Sequence, residues 1–230
     1  MKRLLAFIRT FPGLQRAAWT LAALCIVMAA VAAGRPSFTN ASRPVRGITD
    51  PLVALQTSRD LNEIDVILSD APSPDREVMR IKQYADFGFI AAYLALFVFI
   101  AATLSAPRTA AYAIAAVAIA AALFDVLENL AALRIVDTGL QSVTQSMLDR
   151  LRLWSLWKTA LQAAALALTG VSVLPRIAGA YALAAAILPA AGLFRNSLLT
   201  LVGPALAAAL CAHAATLKFQ HHEPTSRNSI

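Results

Sequence analysis

The sequence predicts an all-α fold: a polytopic membrane bundle of six transmembrane helices with short amphipathic helices on the extracytoplasmic side. Of the 230 residues, 59% are hydrophobic and only 14% charged, and the mean hydropathy of +0.64 lies outside the range of a soluble globular domain. Apolar runs of about 18 residues or more, the length that crosses a bilayer core of roughly 30 Å, recur at 17–34, 87–105, 109–133, 153–174, 177–194 and 198–217. They occupy more than half the chain, so no soluble domain of ordinary size fits beside them.

Taken in order, residues 1–16 form a basic tail carrying Lys2, Arg3, Arg9 and Arg16. The first apolar run, 17–34, has the basic start and small-residue end of a signal peptide, yet its length is adequate for a span. Retention gives six spans and cleavage gives five. The connection 35–86 is the one long one, and with a cytoplasmic N-terminus it lies outside. Asp50 followed by Pro51 marks a helix start there, and Thr57 with Asp60 three residues on has the form of a capping box. Leu61, Ile64 and Leu68 recur at helical spacing among Arg59, Asp60, Glu63 and Asp65, which predicts an amphipathic helix lying on the outer lipid interface or on the span ends. Ser73 and Pro74 open another helix with no break before Ser105, so the second span is expected to begin as a charged helix above the membrane. Val143, Met147 and Leu151 run in phase toward Trp154, extending the fourth span outward in the same way. These extensions would form a small cap. Residues 87–217 hold the remaining five spans, kinked at Pro189 and at Gly203-Pro204, and 218–230 reads as a disordered cytoplasmic tail.

The formal charge of +7 and the pI near 10 invite a nucleic-acid reading. The basic residues, however, form no long patch with interleaved aromatics. Lys2, Arg3, Arg9, Arg16, Arg108, Arg176, Lys218 and Arg227 sit at span ends that fall inside if the N-terminus does, opposed only by Glu223. The expected location is therefore a cell membrane, the bacterial inner membrane in the first instance, crossed several times with both termini cytoplasmic. Cys25 and Cys211 lie in apolar runs with no CxxC, which supports neither a disulfide nor a thiolate metal site. His213 is placed on the cytoplasmic half, and His221 and His222 in the tail.

The third span carries a polar constellation in the stretch FDVLENL. Asp125, Glu128 and Asn129 stand at i, i+3 and i+4 and share one face. No basic residue lies three or four positions from either acid, so their own helix cannot neutralise them. Counting rises outward from the turn near Pro107 puts Asp86 level with Glu128, and Tyr93 about a turn below Asp125. On the fourth span Trp154, Lys158 and Gln162 are spaced by four, and Lys158 is the one basic residue at that depth. The expected ligand- or cation-binding set is thus Asp125, Glu128, Asn129, Asp86, Tyr93, Lys158 and Gln162. Two readings stand. In one the acids sit at headgroup level, Lys158 snorkels upward and the tryptophans join an aromatic belt. In the other the set is a polar core within the bundle, whose surplus negative charge calls for a proton, a cation, a cationic ligand or water.

Three functions remain open at this level: binding or transport of a cation or small cationic ligand, an accessory or scaffold role toward an envelope partner, and a carboxylate- or metal-dependent membrane enzyme. The sequence holds no HExxH, no serine nucleophile elbow and no repeated histidine pattern, so enzyme status stays uncertain and no catalytic or metal residue is assigned. No cofactor is named by it. The partners it admits are membrane lipid, a membrane or envelope protein and a second copy of the chain.

Overall fold

The computed structural model describes residues 17, 20–27, 36–40, 43–48, 50–104 and 108–173. The expected fifth and sixth spans, the two tails, the turn around Pro107, the kinks, Cys211 and the three histidines lie outside these residues. Every regular element described is helical, and the single β feature is an isolated antiparallel bridge between Val45 and Ile48. In chain order the helices are α1 (Pro51–Gln56), α2 (Leu61–Leu68), α3 (Pro74–Leu104), α4 (Arg108–Asp137) and α5 (Gln145–Val173), with a 3-10 turn at Leu140–Ser142. Residues 20–27, within the first apolar run, are also helical.

Helices α3 and α4, about 46 and 45 Å long at 1.5 Å per residue, are long and apolar enough to cross a membrane. They are the two described helices that meet that measure. The fourth expected span falls on α5, where Lys158 and Gln162 interrupt the apolar run. Helix α4 is central, packing along both α3 and α5.

Two apolar cores follow from this arrangement. The first joins α3, α4, α5 and 20–27 through Cys25, Ile90, Leu96, Ile100, Ile114 and Leu166, with Ala118 and Ala122 letting the backbones approach. Cys25 is a buried small hydrophobe, as its setting implied. The second lies at the cap end, where α1 and α2 cover the ends of α3, α4 and α5. Leu55, Ile64, Leu68, Ile135, Leu148 and Leu151 are fully buried there, each worth about 1.5–3 kcal/mol relative to exposure.

Local signals explain most of the cap. Asp50 Oδ1 accepts the backbone N–H groups of Leu52 (2.9 Å) and Val53 (3.4 Å), with Pro51 at the first helical position, so α1 starts where expected. The Thr57–Asp60 capping box does not form. Thr57 instead closes α1, its hydroxyl donating to the Val53 carbonyl at 2.9 Å. Asp60 is the N-cap of α2, accepting from the Glu63 N–H at 3.0 Å, while Glu63 Oε2 accepts the Arg59 N–H at 2.7 Å. Because α1 runs to Gln56 and Thr57 closes it, the residue left to cap α2 is Asp60. The buried face of α2 is Ile64, Ile67 and Leu68, with Leu61 left 40% exposed, and it rests on the helix ends of the cap.

Two acids and one arginine pin the connections. Asp75, buried in the first turn of α3, accepts from the Thr39 N–H (2.6 Å), the Thr39 hydroxyl (2.7 Å) and the Asn40 N–H (3.1 Å), which holds 36–40 against the helix. Arg76, 3% exposed, donates through Nη1 to the carbonyls of Ile135 (3.1 Å), Val136 (2.8 Å) and Thr138 (2.7 Å), and through Nε to Ser69 (2.9 Å). It thereby supplies a cation to the C-terminal end of α4, where the helix dipole is negative and carbonyls lack partners. Asp70 Oδ1 accepts from the N–H groups of Ala71 (2.8 Å) and Leu140 (2.9 Å), tying the α2–α3 connection to the 3-10 turn.

Those two backbone bonds, the Leu140 one foremost, hold the Asp70 carboxyl below its ordinary value. A depressed folded-state pKa means that Asp70 contributes stability above its unfolded value of about 3.9, and that the contribution is lost as pH falls through the lower folded value. Unfolding midpoints measured from pH 2 to 6 should therefore show wild type above Asp70→Asn at pH 6, with the two curves converging toward pH 2. Parallel curves would contradict this assignment.

Candidate functional site: a buried carboxylate and lysine cluster

The polar face of α4 lies between the two apolar cores, at the level where α3 and α5 both press against it. Asp125 is 2% exposed, Glu128 0% and Asn129 1%, so this face is shut inside the bundle. Their i, i+3, i+4 spacing sends Asp125 and Glu128 toward α5 and Asn129 toward α3.

From α5, Lys158 Nζ reaches Asp125 Oδ1 at 3.2 Å and Glu128 Oε2 at 2.6 Å, and no other partner contacts those two oxygens. One turn further along, Gln162 Nε2 donates to Asp125 Oδ2 at 3.2 Å. From α3, the Tyr93 hydroxyl donates to the same oxygen at 3.1 Å, and Asn129 Nδ2 donates to Asp86 Oδ2 at 2.8 Å. Tyr93 is held by edge contacts with Phe89 and Phe97, ring centroids 5.4 and 6.5 Å apart, which fixes the direction of its hydroxyl.

All seven residues singled out from the sequence are therefore bonded across helices: Asp125, Glu128, Lys158, Gln162 and Tyr93 form one connected set, and Asn129, beside Glu128 on α4, forms a separate pair with Asp86 on α3. Lys158 does not snorkel away from the acids; it bridges two of them, and its side chain is 13% exposed. Trp154, the third member of the expected polar line on α5, departs from it and lines a separate groove with Arg134 and Arg150. Trp157 stacks on Phe124 at 6.0 Å and stays half exposed.

The sequence reading missed one member, Gln56 at the end of α1. Its Nε2 donates to Glu128 Oε1 at 2.5 Å across 72 residues of chain, and so places a cap residue directly over the cluster. A lone glutamine beside a helix end carries no periodic signal that could have found it.

Electrostatically the cluster is unbalanced. Three carboxylates, Asp86, Asp125 and Glu128, face one ammonium, and the remaining partners, Tyr93, Asn129, Gln162 and Gln56, are neutral donors. Such donors lower the energy of an ionised acid without cancelling its charge. An uncompensated charge in a water-poor interior costs several kcal/mol, so the arrangement calls for a retained proton, a further cation or water. Among the described residues no three His, Cys, Asp or Glu side chains converge in a geometry that could hold a metal ion.

Among the described residues, fold and site together define an all-helical arrangement with two membrane-length helices and a carboxylate-rich charge cluster buried between three helices. Compared with family models, curated proteins and solved structures, the chain matches none.

Proposed function

We propose that this is a multi-pass membrane protein that binds a small cation or cationic ligand at Asp125 and Glu128, in the place that Lys158 Nζ takes between them, reached from the extracytoplasmic side. The observation that carries the reading is Lys158: its ammonium sits between two buried carboxylates, as a bound cation would, and a third carboxylate, Asp86, is hydrogen-bonded to Asn129, the residue after Glu128. A tethered ammonium of this kind is a counter-ion for the empty site. An incoming cation competes for the same oxygens, and Lys158, already partly exposed, moves aside.

The membrane part of the reading joins the two membrane-length helices to the six apolar runs of the sequence. With both termini cytoplasmic, the inner side holds eight of the 20 basic residues and one of the 13 acids, and the outer side holds twelve of each. Many of the described outer charges belong to a folded cap with internal ion pairs, such as Arg46 with Glu63 and Arg80 with Asp137, and a domain of that kind translocates largely regardless of its basic residues. The four basic residues of the N-terminal tail, unopposed by any acid, then set the orientation.

The test is a thermal titration of purified protein with sodium, potassium and methylammonium chlorides, using N-methylglucamine chloride to hold ionic strength. At about 100 times its dissociation constant, the cognate cation should raise the midpoint by about 5 °C or more. Asp125→Asn and Glu128→Gln should abolish that rise. Equal responses to every salt in all three proteins would remove the cation site. The second reading, a scaffold for an envelope partner, rests on the cap having its own apolar core. It expects no cation-dependent shift and loss of a co-purifying partner when the cap is altered.

A further inference from the structure

We infer that the groove between α4 and α5, at their cap ends, is a binding site for the phosphate of an anionic phospholipid of the outer leaflet. The inference rests on the membrane reading above and is independent of the cation site. The groove encloses about 190 Å³ and is lined by Arg134 and Arg150 at its top, Trp154 in its wall, and Leu127 and Leu130 below. One arginine comes from each helix. Both are exposed, and neither takes part in an ion pair among the described residues, where Arg46, Arg80 and Arg152 each have a carboxylate. No acid lines the groove.

The chemistry selects the occupant. Two arginines bordering one small cavity suit the multi-oxygen geometry of a phosphate, which arginine binds through paired hydrogen bonds. A cavity of that size takes a headgroup and leaves no room for an acyl chain. The chain has a path nonetheless: Leu130, Leu127 and Leu123 run down the outer face of α4 from Arg134, 52, 38 and 60% exposed, along the helix that is apolar enough to span. Trp154 stands where an indole ring marks the boundary between hydrocarbon and headgroups. Cation above, aromatic at the boundary and exposed leucines below reproduce the layering of a lipid. The absence of any carboxylate to receive an ammonium favours an anionic headgroup over a zwitterionic one.

The experiment uses the full-length protein reconstituted in phosphatidylcholine nanodiscs or floated with vesicles, and it compares added phosphatidylglycerol, added phosphatidylcholine and inorganic phosphate. Phosphatidylglycerol should bind at least about tenfold more tightly than phosphatidylcholine by native mass spectrometry, and should raise the unfolding midpoint, while inorganic phosphate does neither. The double variant Arg134→Gln/Arg150→Gln, both positions being exposed and away from either core, should fold normally and lose that tenfold preference. Its cation response through Asp125 and Glu128 should be unchanged. A protein that inserts but binds both lipids equally, or a double variant that keeps the preference, overturns the inference and leaves the membrane reading standing. Inorganic phosphate acting as well as the lipid overturns the lipid assignment. A chain that fails to float with vesicles takes the membrane reading down with it.

Discussion

Lys158→Met should be the most damaging single substitution in the protein, costing about 3–5 kcal/mol of stability, because it leaves the carboxylates of Asp125 and Glu128 buried with no positive partner. The size of the effect follows from burial. Exposed pairs such as Arg152 with Asp149 are worth about 0–1 kcal/mol, since water replaces whichever partner is lost. Water has far less access to Glu128, at 0% exposure. Unfolding in detergent micelles, followed by helical circular dichroism, checks the value. A loss under about 1 kcal/mol would mean that the acids are neutralised some other way. Adding Glu128→Gln to Lys158→Met should recover part of the loss, since one fewer buried charge is then stranded.

Arg76→Met should come second, at about 3 kcal/mol. This side chain gives four charge-assisted hydrogen bonds to backbone carbonyls of two segments, three at the end of α4 and one at Ser69. Methionine matches its stem but supplies no donor, so those carbonyls lose their partner and the helix terminus loses its cation. The damage should be local to the cap. Hydrogen exchange is expected to accelerate across 134–142 and 64–70 while the α3–α4 hairpin below stays protected. Uniform exchange along the chain would show that Arg76 is not the clamp between them.

How much of this was legible beforehand depends on whether a contact left a local trace. The starts of α1 and α3 were readable because Asp50-Pro51 and Ser73-Pro74 combine a capping side chain with a proline at the first turn. The cluster was readable because acids stand out on an alanine-rich helix, and because helical spacing alone fixes that Asp125, Glu128 and Asn129 share a face. That Asp86 and Tyr93 would meet them followed from equal rises on two helices joined by a short turn. The cap's clamps left no such trace. Arg76 acts on carbonyls 59 to 62 residues away, and Gln56 on a carboxylate 72 residues away. A polar residue on an outer helix end looks the same whether it meets water or a buried partner. The Thr57–Asp60 error has a different origin: both residues satisfy the capping pattern, and only the point where α1 ends decides which of them caps. Trp154 illustrates the limit of periodicity, for spacing by four drifts around a helix of 3.6 residues per turn, and over two steps the line from Gln162 leaves the cluster.

The central claim is that the buried charges of α4 and α5 form one interdependent network, to which α3 contributes the Tyr93 hydroxyl. A double-mutant cycle of Glu128→Gln and Lys158→Met, measured by equilibrium unfolding, tests it most directly. Coupling of about 2 kcal/mol or more is the expected result, because each substitution removes the other's partner in a dry setting. Losses that simply add, within about 0.5 kcal/mol, would show that Lys158 and Glu128 do not sense each other, and would contradict the account.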